Sequence, residues 1–266
     1  MAFVVSKKIG TARLLLLSAA IACGHMLPAF PYAAADKSER TPVLVELFTS
    51  EGCSDCPPAD ALLGRLDSSQ FVPGALAIVL SEHVTYWNHL GWRDPFSFEE
   101  MDARQQEYGT RFGLNSVYTP QMVVDGTEQF VGSDYGALSR AVKKAAAAEK
   151  PPLEIVDPRL QNGKVTFSLR RGTAGGAARW YAAIAADATR SEVPRGENAG
   201  RTLHHVAVVR VLRQLKRDAD EQEFSLPADA YGYAGASASG NLRLVVFAVD
   251  AHTGRVIAAV ERDLRP

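Results

Sequence analysis

The chain has 266 residues, of which 47% are hydrophobic, and its formal net charge is −1. This near-neutral balance provides no basic face for nucleic acid, while the hydrophobic fraction is sufficient for sizeable cores. After residue 35 no apolar run reaches the roughly 20 residues of a membrane-spanning helix, so no membrane span is expected in the mature chain.

Residues 1–35 predict a cleaved secretory signal peptide. They contain three basic residues and no acidic one, the apolar run LLLLSAAIAC, and small residues before Asp36. A basic start, a short apolar run and a small-residue cleavage site are typical of export, so the predicted location is periplasmic or secreted. A bacterial lipoprotein is an alternative, because the residues ending at Cys23 loosely resemble a lipidation box.

Residues 36–150 predict the element order β-α-β-α-β-β-α. The strands are expected at 42–49, 75–84, 121–124 and 128–131, and the helices at 59–66, 98–112 and 134–149. The first two strands are almost continuously apolar, as in a sheet that helices cover on both faces. Asp125-Gly126 is a typical hairpin turn between the last two strands, and Ser133 or Asp134 is expected to cap the closing helix.

Lys150-Pro151-Pro152 ends this pattern, and short predicted strands separated by Gly- and Pro-containing stretches follow. They are expected at 153–157, 164–170, 179–187, 203–213, 242–250 and 255–262. This spacing predicts an all-β, sandwich-like domain over residues 151–266.

Cys53 and Cys56 lie between the first predicted strand and the first predicted helix. A helix start presents free N–H groups and a positive dipole end, which favour a thiolate. Without the signal peptide these are the only two cysteines. In an oxidising compartment disulfides persist, but a loop with two intervening residues gains little from being closed. The pair therefore predicts redox chemistry, with metal binding and a structural remnant as alternatives.

This arrangement resembles the thioredoxin fold, in which a cis-proline faces the thiol pair at the position of Thr119-Pro120. More closely, the chain resembles a bacterial family of exported thioredoxin-like proteins catalogued as a domain of unknown function. The similarity lies in the segments ELFTSEGC, CPPAD, HVTYW, LGW, DP, YTPQ and GENAGRTL. It implies an α/β thioredoxin-like domain at 36–150 followed by an all-β sandwich-like domain at 151–266.

This topology places Cys53, His83 and Pro120 at one edge of the sheet, where ligands of open α/β sheets gather. His83 would transfer a proton, since histidine titrates near neutral pH, or would only bond a nearby carbonyl. The backbone at Thr119 would pair with an extended substrate. Three aromatic residues that would line a groove or form a packed lid follow His83: Tyr86, Trp87 and Trp92. The lid is the favoured interpretation.

Two features differ from well-characterised thioredoxins. Asp55 lies between the cysteines, where its charge opposes a thiolate. Pro57 and Pro58 are expected to delay the helix start to Cys56 or Pro57. Both features leave the direction of electron transfer open.

The second predicted domain offers one polar cluster, made of Asn198, Arg201, His204 and His205. The two adjacent histidines point to opposite faces of a strand and cannot share a ligand. We interpret the cluster as an ordinary turn and strand start.

The sequence thus predicts an exported thiol–disulfide oxidoreductase without a cofactor. Cys53, taken as the more exposed thiol, would attack a substrate disulfide, and Cys56 would resolve the mixed disulfide. The expected partners are a protein thiol or disulfide substrate and a redox partner protein. One alternative is a copper-handling protein that uses Cys53, Cys56 and His83 as ligands, and another is a non-catalytic interaction module.

Overall fold

A computed structural model of the chain describes residues 1–3, 40–172, 177–216, 221–225, 236–238 and 242–264. The chain divides into two units, Met1–Asp36 and Lys37–Pro266, and all the helices and strands below belong to the second. The predicted signal peptide, apart from residues 1–3, and Cys23 lie outside the described residues.

The second unit is a mixed α/β structure with a large central sheet. Its first half contains β1 (Thr41–Thr49), α1 (Pro57–Ser69), β2 (Ala75–His83), α2 (Glu99–Arg111), β3 (Gln121–Val124), β4 (Glu128–Val131) and α3 (Tyr135–Ala146). Its second half contains β5 (Leu153–Gln161), β6 (Lys164–Arg171), β7 (Ala178–Val193), β8 (Arg201–Gln214), β9 (Glu221–Ser225), β10 (Ala236–Ala238), β11 (Leu242–Asp250) and β12 (Val256–Leu264). In the part of the chain that is described, no helix is both long and apolar enough to cross a membrane.

The central sheet contains strands from both halves, in the order β12-β11-β7-β8-β2-β1-β3-β4, with β10 paired to β7. Within it, β1 is parallel to β2 and antiparallel to β3. The halves meet where Ser81 of β2 pairs with Val208 of β8. The central sheet therefore continues across the domain boundary that was predicted at residue 150.

A second sheet, in the order β5-β6-β9, packs on the strands that the second half adds to the central sheet. The two sheets share a buried apolar cluster, which includes Val165 of β6, Ile184 of β7 and Val246 of β11. The strands of residues 151–266 are thus divided between two sheets that share an apolar cluster, and one of these sheets also contains strands of the first half.

A buried ionic cluster lies between α2 and the central sheet. Arg104 Nε of α2 donates to Glu46 Oε1 of β1 at 2.6 Å and lies 3.5 Å from Glu82 Oε1 of β2. The Tyr108 hydroxyl donates to Glu46 Oε2 at 2.5 Å. Burial, reinforced by the neighbouring Glu46 charge, raises the pKa of Glu82 well above its ordinary value, although Arg104 opposes the shift. The Arg104 guanidinium is therefore the cation next to both buried carboxyl groups, Glu46 and Glu82.

Candidate functional site

Cys53 and Cys56 form a disulfide at the start of α1, with their Cα atoms 5.4 Å apart. Cys56 is the N-cap of a helix that begins at Pro57, as predicted. The prediction that this helix start presents free N–H groups is wrong, because Pro57 and Pro58 occupy the first turn and proline has no N–H. The next N–H, that of Ala59, donates to the Cys56 carbonyl at 2.9 Å.

Both cysteines are buried, with 1% of Cys53 and 0% of Cys56 exposed. The expectation that Cys53 is a more exposed thiol is therefore wrong. The two residues between them, Ser54 and Asp55, are exposed, so the charge of Asp55 lies in solvent. The sulfur atoms are covered although the turn that carries them reaches the surface.

Residues 196–200 of the second half lie against the turn that carries Cys53, and we call them the covering loop. Asn198 Nδ2 donates to the carbonyl oxygens of Glu51 and Cys53, at 2.9 and 2.8 Å. The Ser54 N–H donates to the exposed Glu197 carboxylate at 3.1 Å, and hydrogen bonds from Ser54 lower the pKa of Glu197. The thiol pair of the first half is thus held by a loop of the second.

The Glu51 carboxylate, in the loop after β1, is the centre of a buried polar network. Its Oε2 accepts a hydrogen bond from Trp92 Nε1 at 2.8 Å. Its Oε1 accepts one from the Ser191 hydroxyl and lies 3.2 Å from His205 Nε2. The Glu51 N–H donates to Asp94 Oδ2 at 2.8 Å. This residue therefore fixes the loop that leads to Cys53 onto β7 and β8.

His205 of β8 lies between two buried carboxylates. Besides its contact with Glu51, its Nδ1 is 3.6 Å from Oδ1 of Asp60, which follows Cys56 by one turn of α1. Burial alone would lower the pKa of His205, but the carboxylates of Asp60 and Glu51 outweigh it and raise the pKa to about 10. His205 is therefore an imidazolium at neutral pH. The adjacent His204 is exposed, as the alternation of a strand predicts.

We expect stability to depend on pH through His205. A folded-state pKa of about 10, above the unfolded value of about 6.5, means that this contribution is complete below pH 6.5. It is lost as the pH rises towards 10. His205→Gln should destabilise the protein at pH 7, and its deficit should shrink by at most about 1.4 kcal/mol per pH unit above that. Urea unfolding at pH 7, 8, 9 and 10 measures this. His204→Gln is the matched control, and a deficit that is constant with pH would contradict the assignment.

His83, the last residue of β2, is fully buried, and its Nδ1 lies 2.7 Å from Asp94 Oδ2. Burial would raise the pKa of Asp94, but His83 and the N–H groups that bond the carboxylate hold it below its ordinary value. The His83 ring contacts that of His205, with centroids 4.6 Å apart. His83 is therefore bonded to a carboxylate rather than to a carbonyl, and it belongs to the network around Glu51.

The Thr119–Pro120 peptide bond is cis, as the resemblance implies. The buried Pro120 accepts a hydrogen bond at its carbonyl from the Gly132 N–H, at 2.9 Å. A Cβ added at Gly132 would lie 2.8 Å from Leu47 of β1, 3.0 Å from Ala59 of α1 and 3.1 Å from Pro120. Pro120 therefore lies near Leu47 of β1 and Ala59 of α1, the two elements between which the cysteines lie.

The aromatic residues after β2 are half-buried and hydrogen-bonded. Trp87 Nε1 donates to Thr119 Oγ1 at 2.8 Å, and Trp92 bonds Glu51 as described. The Tyr86 hydroxyl donates to Gln105 at 3.1 Å, and burial raises the pKa of Tyr86 to about 12. These contacts favour the packed lid over an open groove.

Within the described residues, no group of three or more His, Cys, Asp or Glu side chains is arranged to hold a metal ion. Since Cys53 and Cys56 are bonded to each other, their geometry with His83 offers no support for the copper-handling alternative.

Comparison with known proteins identifies the family. A family model described as "Protein of unknown function (DUF1223)" matches residues 44–247. The chain belongs to the DUF1223 family. Among solved structures, it is similar to the crystal structure of protein AGR_C_4864 from Agrobacterium tumefaciens, with 24% identity and a TM-score of 0.57. The match covers 84% of this chain and 93% of that one, and it concerns the fold alone. No curated protein matches the chain.

The site predicted from the sequence of this DUF1223 chain omitted several residues that the structure places in the buried network around Glu51 and the turn of Cys53. They are Glu51, Asp60, Asp94, Asn198 and His205. Glu51 and Asn198 lie in the segments ELFTSEGC and GENAGRTL, which carried the resemblance, so the information was present. Asn198 and His205 do lie in a turn and at the start of β8, as interpreted, but both are also buried against the loop that leads to Cys53.

Proposed function

We propose that this protein is an exported thiol–disulfide oxidoreductase whose redox pair is Cys53 and Cys56, carried by a thioredoxin-like arrangement of residues 36–150. The order of elements, the parallel β1–β2 pair and the antiparallel β3 support that arrangement. The observation that carries the proposal is a disulfide closed over two residues between a strand and a helix, beside buried histidines and carboxylates. Clusters of perturbed titratable groups are frequent at functional sites.

The proposed reaction is a two-step exchange. In the disulfide state, a substrate thiolate attacks Cys53 Sγ, which forms a mixed disulfide and releases the Cys56 thiolate. A second substrate thiolate then attacks the substrate sulfur of the mixed disulfide and releases Cys53. The substrate dithiol loses two electrons and two protons, and the protein dithiol gains them. The reverse sequence reduces a substrate disulfide, and the redox partner protein determines which direction operates.

The proposed location is periplasmic or extracellular. The basic, apolar and small-residue pattern of residues 1–35 supports it, and so does the disulfide, because such bonds persist in oxidising compartments.

A second function is favoured by one specific observation. Both cysteines are almost completely buried, which is the environment of an inert structural disulfide. The protein would then be a non-catalytic interaction module, and its disulfide would resist reduction.

The reduction potential of Cys53–Cys56 separates the two functions. We expect a value between about −120 and −270 mV, the range of exchanging enzymes, on equilibration with glutathione or dithiothreitol redox buffers. We also expect catalysed oxidation of a reduced, unfolded model protein, with the double variant Cys53→Ser/Cys56→Ser as the blank. A potential below about −300 mV together with no catalysis would instead establish a structural disulfide.

A further inference from the structure

We propose that Asn198 is the positioning residue that controls access to the redox pair. Its side chain holds the covering loop over Cys53, and exchange requires this loop to leave. This inference rests on the proposed function of Cys53 and Cys56 and adds a regulation of that site by the second half of the chain.

Asn198 is the buried residue that connects the covering loop to the loop of residues 50–56, which we call the thiol loop. It is 0% exposed, and its amide nitrogen bonds two carbonyl oxygens of the thiol loop, those of Glu51 and Cys53. Its Oδ1 accepts a hydrogen bond from Arg201 Nη1 at 3.0 Å, which fixes the orientation of the carboxamide. A buried side chain with these partners is costly to displace, because each carbonyl would lose its bond.

The Gly200 N–H donates to the Val193 carbonyl at 2.7 Å within the β7–β8 connection, whereas the second side-chain contact between the covering loop and the thiol loop is weak. The bond between Glu197 and Ser54 lies at the surface, where competition with water makes it weak. Gly196 and Gly200, at the two ends of the loop, have φ angles of +81° and +78°. Glycine adopts such angles freely and tolerates large backbone changes, so both ends can act as hinges.

The cover has a direct chemical consequence. A substrate sulfur must approach Cys53 Sγ in line with the disulfide, and exchange rates depend on this access. Cys53 is 1% exposed, so a sulfur nucleophile reaches its Sγ only after a rearrangement, which we assign to the covering loop. The rate of exchange is therefore the intrinsic rate multiplied by the fraction of molecules in which Asn198 has released the thiol loop.

The test is the rate at which dithiothreitol reduces the native disulfide. Asn198→Ala should accelerate reduction about tenfold, which corresponds to about 1.4 kcal/mol less stabilisation of the closed loop. Asn198→Ser, which keeps one donor, should lie between it and the unchanged protein. Asn115→Ala, in an exposed loop, is the matched control and should change the rate less than about twofold. If Asn198→Ala does not fold, Arg201→Ala is the second variant. It removes the hydrogen bond to Asn198 Oδ1 but keeps the Asn198 side chain, and it should also accelerate reduction.

Comparison of the rates of reduction and reoxidation distinguishes a gating role of Asn198 from a merely structural one. Opening exposes the pair in either redox state, so reduction and reoxidation by oxidised glutathione should accelerate by the same factor, with the potential unchanged. Unchanged rates would overturn the proposal, as would acceleration of only one direction or acceleration that tracks global unfolding in urea. Because dithiothreitol acts on any accessible disulfide, these rates test the gate even if no protein substrate is turned over. A failure of the proposed function is thereby distinguished from a failure of the gate.

Discussion

Cys56→Ser should accumulate covalent mixed disulfides with substrate proteins, whereas Cys53→Ser should abolish exchange. Cys56 is fixed at the N-cap of α1, while Cys53 lies in the turn that Asn198 holds, so release of the covering loop frees Cys53 first. When Cys53 has attacked a substrate disulfide, attack by Cys56 on the mixed disulfide releases the substrate, so a variant without Cys56 retains it. Non-reducing electrophoresis of proteins purified with each variant measures the trapped species and recovers the substrates.

The double variant Cys53→Ser/Cys56→Ser provides the background of this experiment. Equal trapping by the two single variants would reject the assigned order of attack. Trapping by Cys53→Ser alone would make Cys56 the attacking residue.

Arg104→Leu should lower the free energy of unfolding by about 3–5 kcal/mol, because it leaves two buried carboxylates without their cation. Glu46 and Glu82 are both 0% exposed. Arg104 opposes the effect of burial on the pKa of Glu82, so without the guanidinium this pKa rises further and the folded state retains a proton that the unfolded state releases above about pH 4.3. The deficit should therefore be larger at pH 8 than at pH 5, as measured by urea unfolding.

Two variants make this result specific. Arg140→Leu replaces an exposed arginine of α3 and should change stability by less than about 0.5 kcal/mol. Glu82→Gln in the Arg104→Leu background removes one of the two charges and should recover part of the loss at pH 8. A deficit that is equal at both pH values would instead assign the effect of Arg104 to its contacts with the Tyr181 and Phe247 rings.

Local sequence patterns predicted the elements of the first half well. The two strands around Asp125-Gly126 were predicted at 121–124 and 128–131, which are their observed bounds. Asp134 caps α3 through a bond from the Ala137 N–H, as expected of a cap residue. Such features depend on neighbours in the chain, which a sequence displays directly. The short strands β9 and β10 were missed, since their few residues carry too little alternation to be recognised.

Long-range contacts were harder to predict. Lys150-Pro151-Pro152 interrupts the local pattern, but nothing near it indicates that β8 will lie beside β2. The cysteines and Pro120 were recognised from motifs, whereas Asn198 and His205 reach the site from 145 and 154 residues away along the chain. Their importance depends on the partners they meet, which are Glu51 and the backbone carbonyl of Cys53.

The separation between Cys53 and Asn198 also affects the biogenesis of the protein. A ribosome that adds about 5–20 residues per second needs roughly 7–30 s to produce the 145 residues between them. During that time the nascent chain displays both thiols with no covering loop yet made. Under the proposed gate, the pair is accessible to an oxidant of the destination compartment until residues 196–200 have folded against the turn of Cys53. Under the same proposal, the redox state of the pair is most easily set before folding is complete.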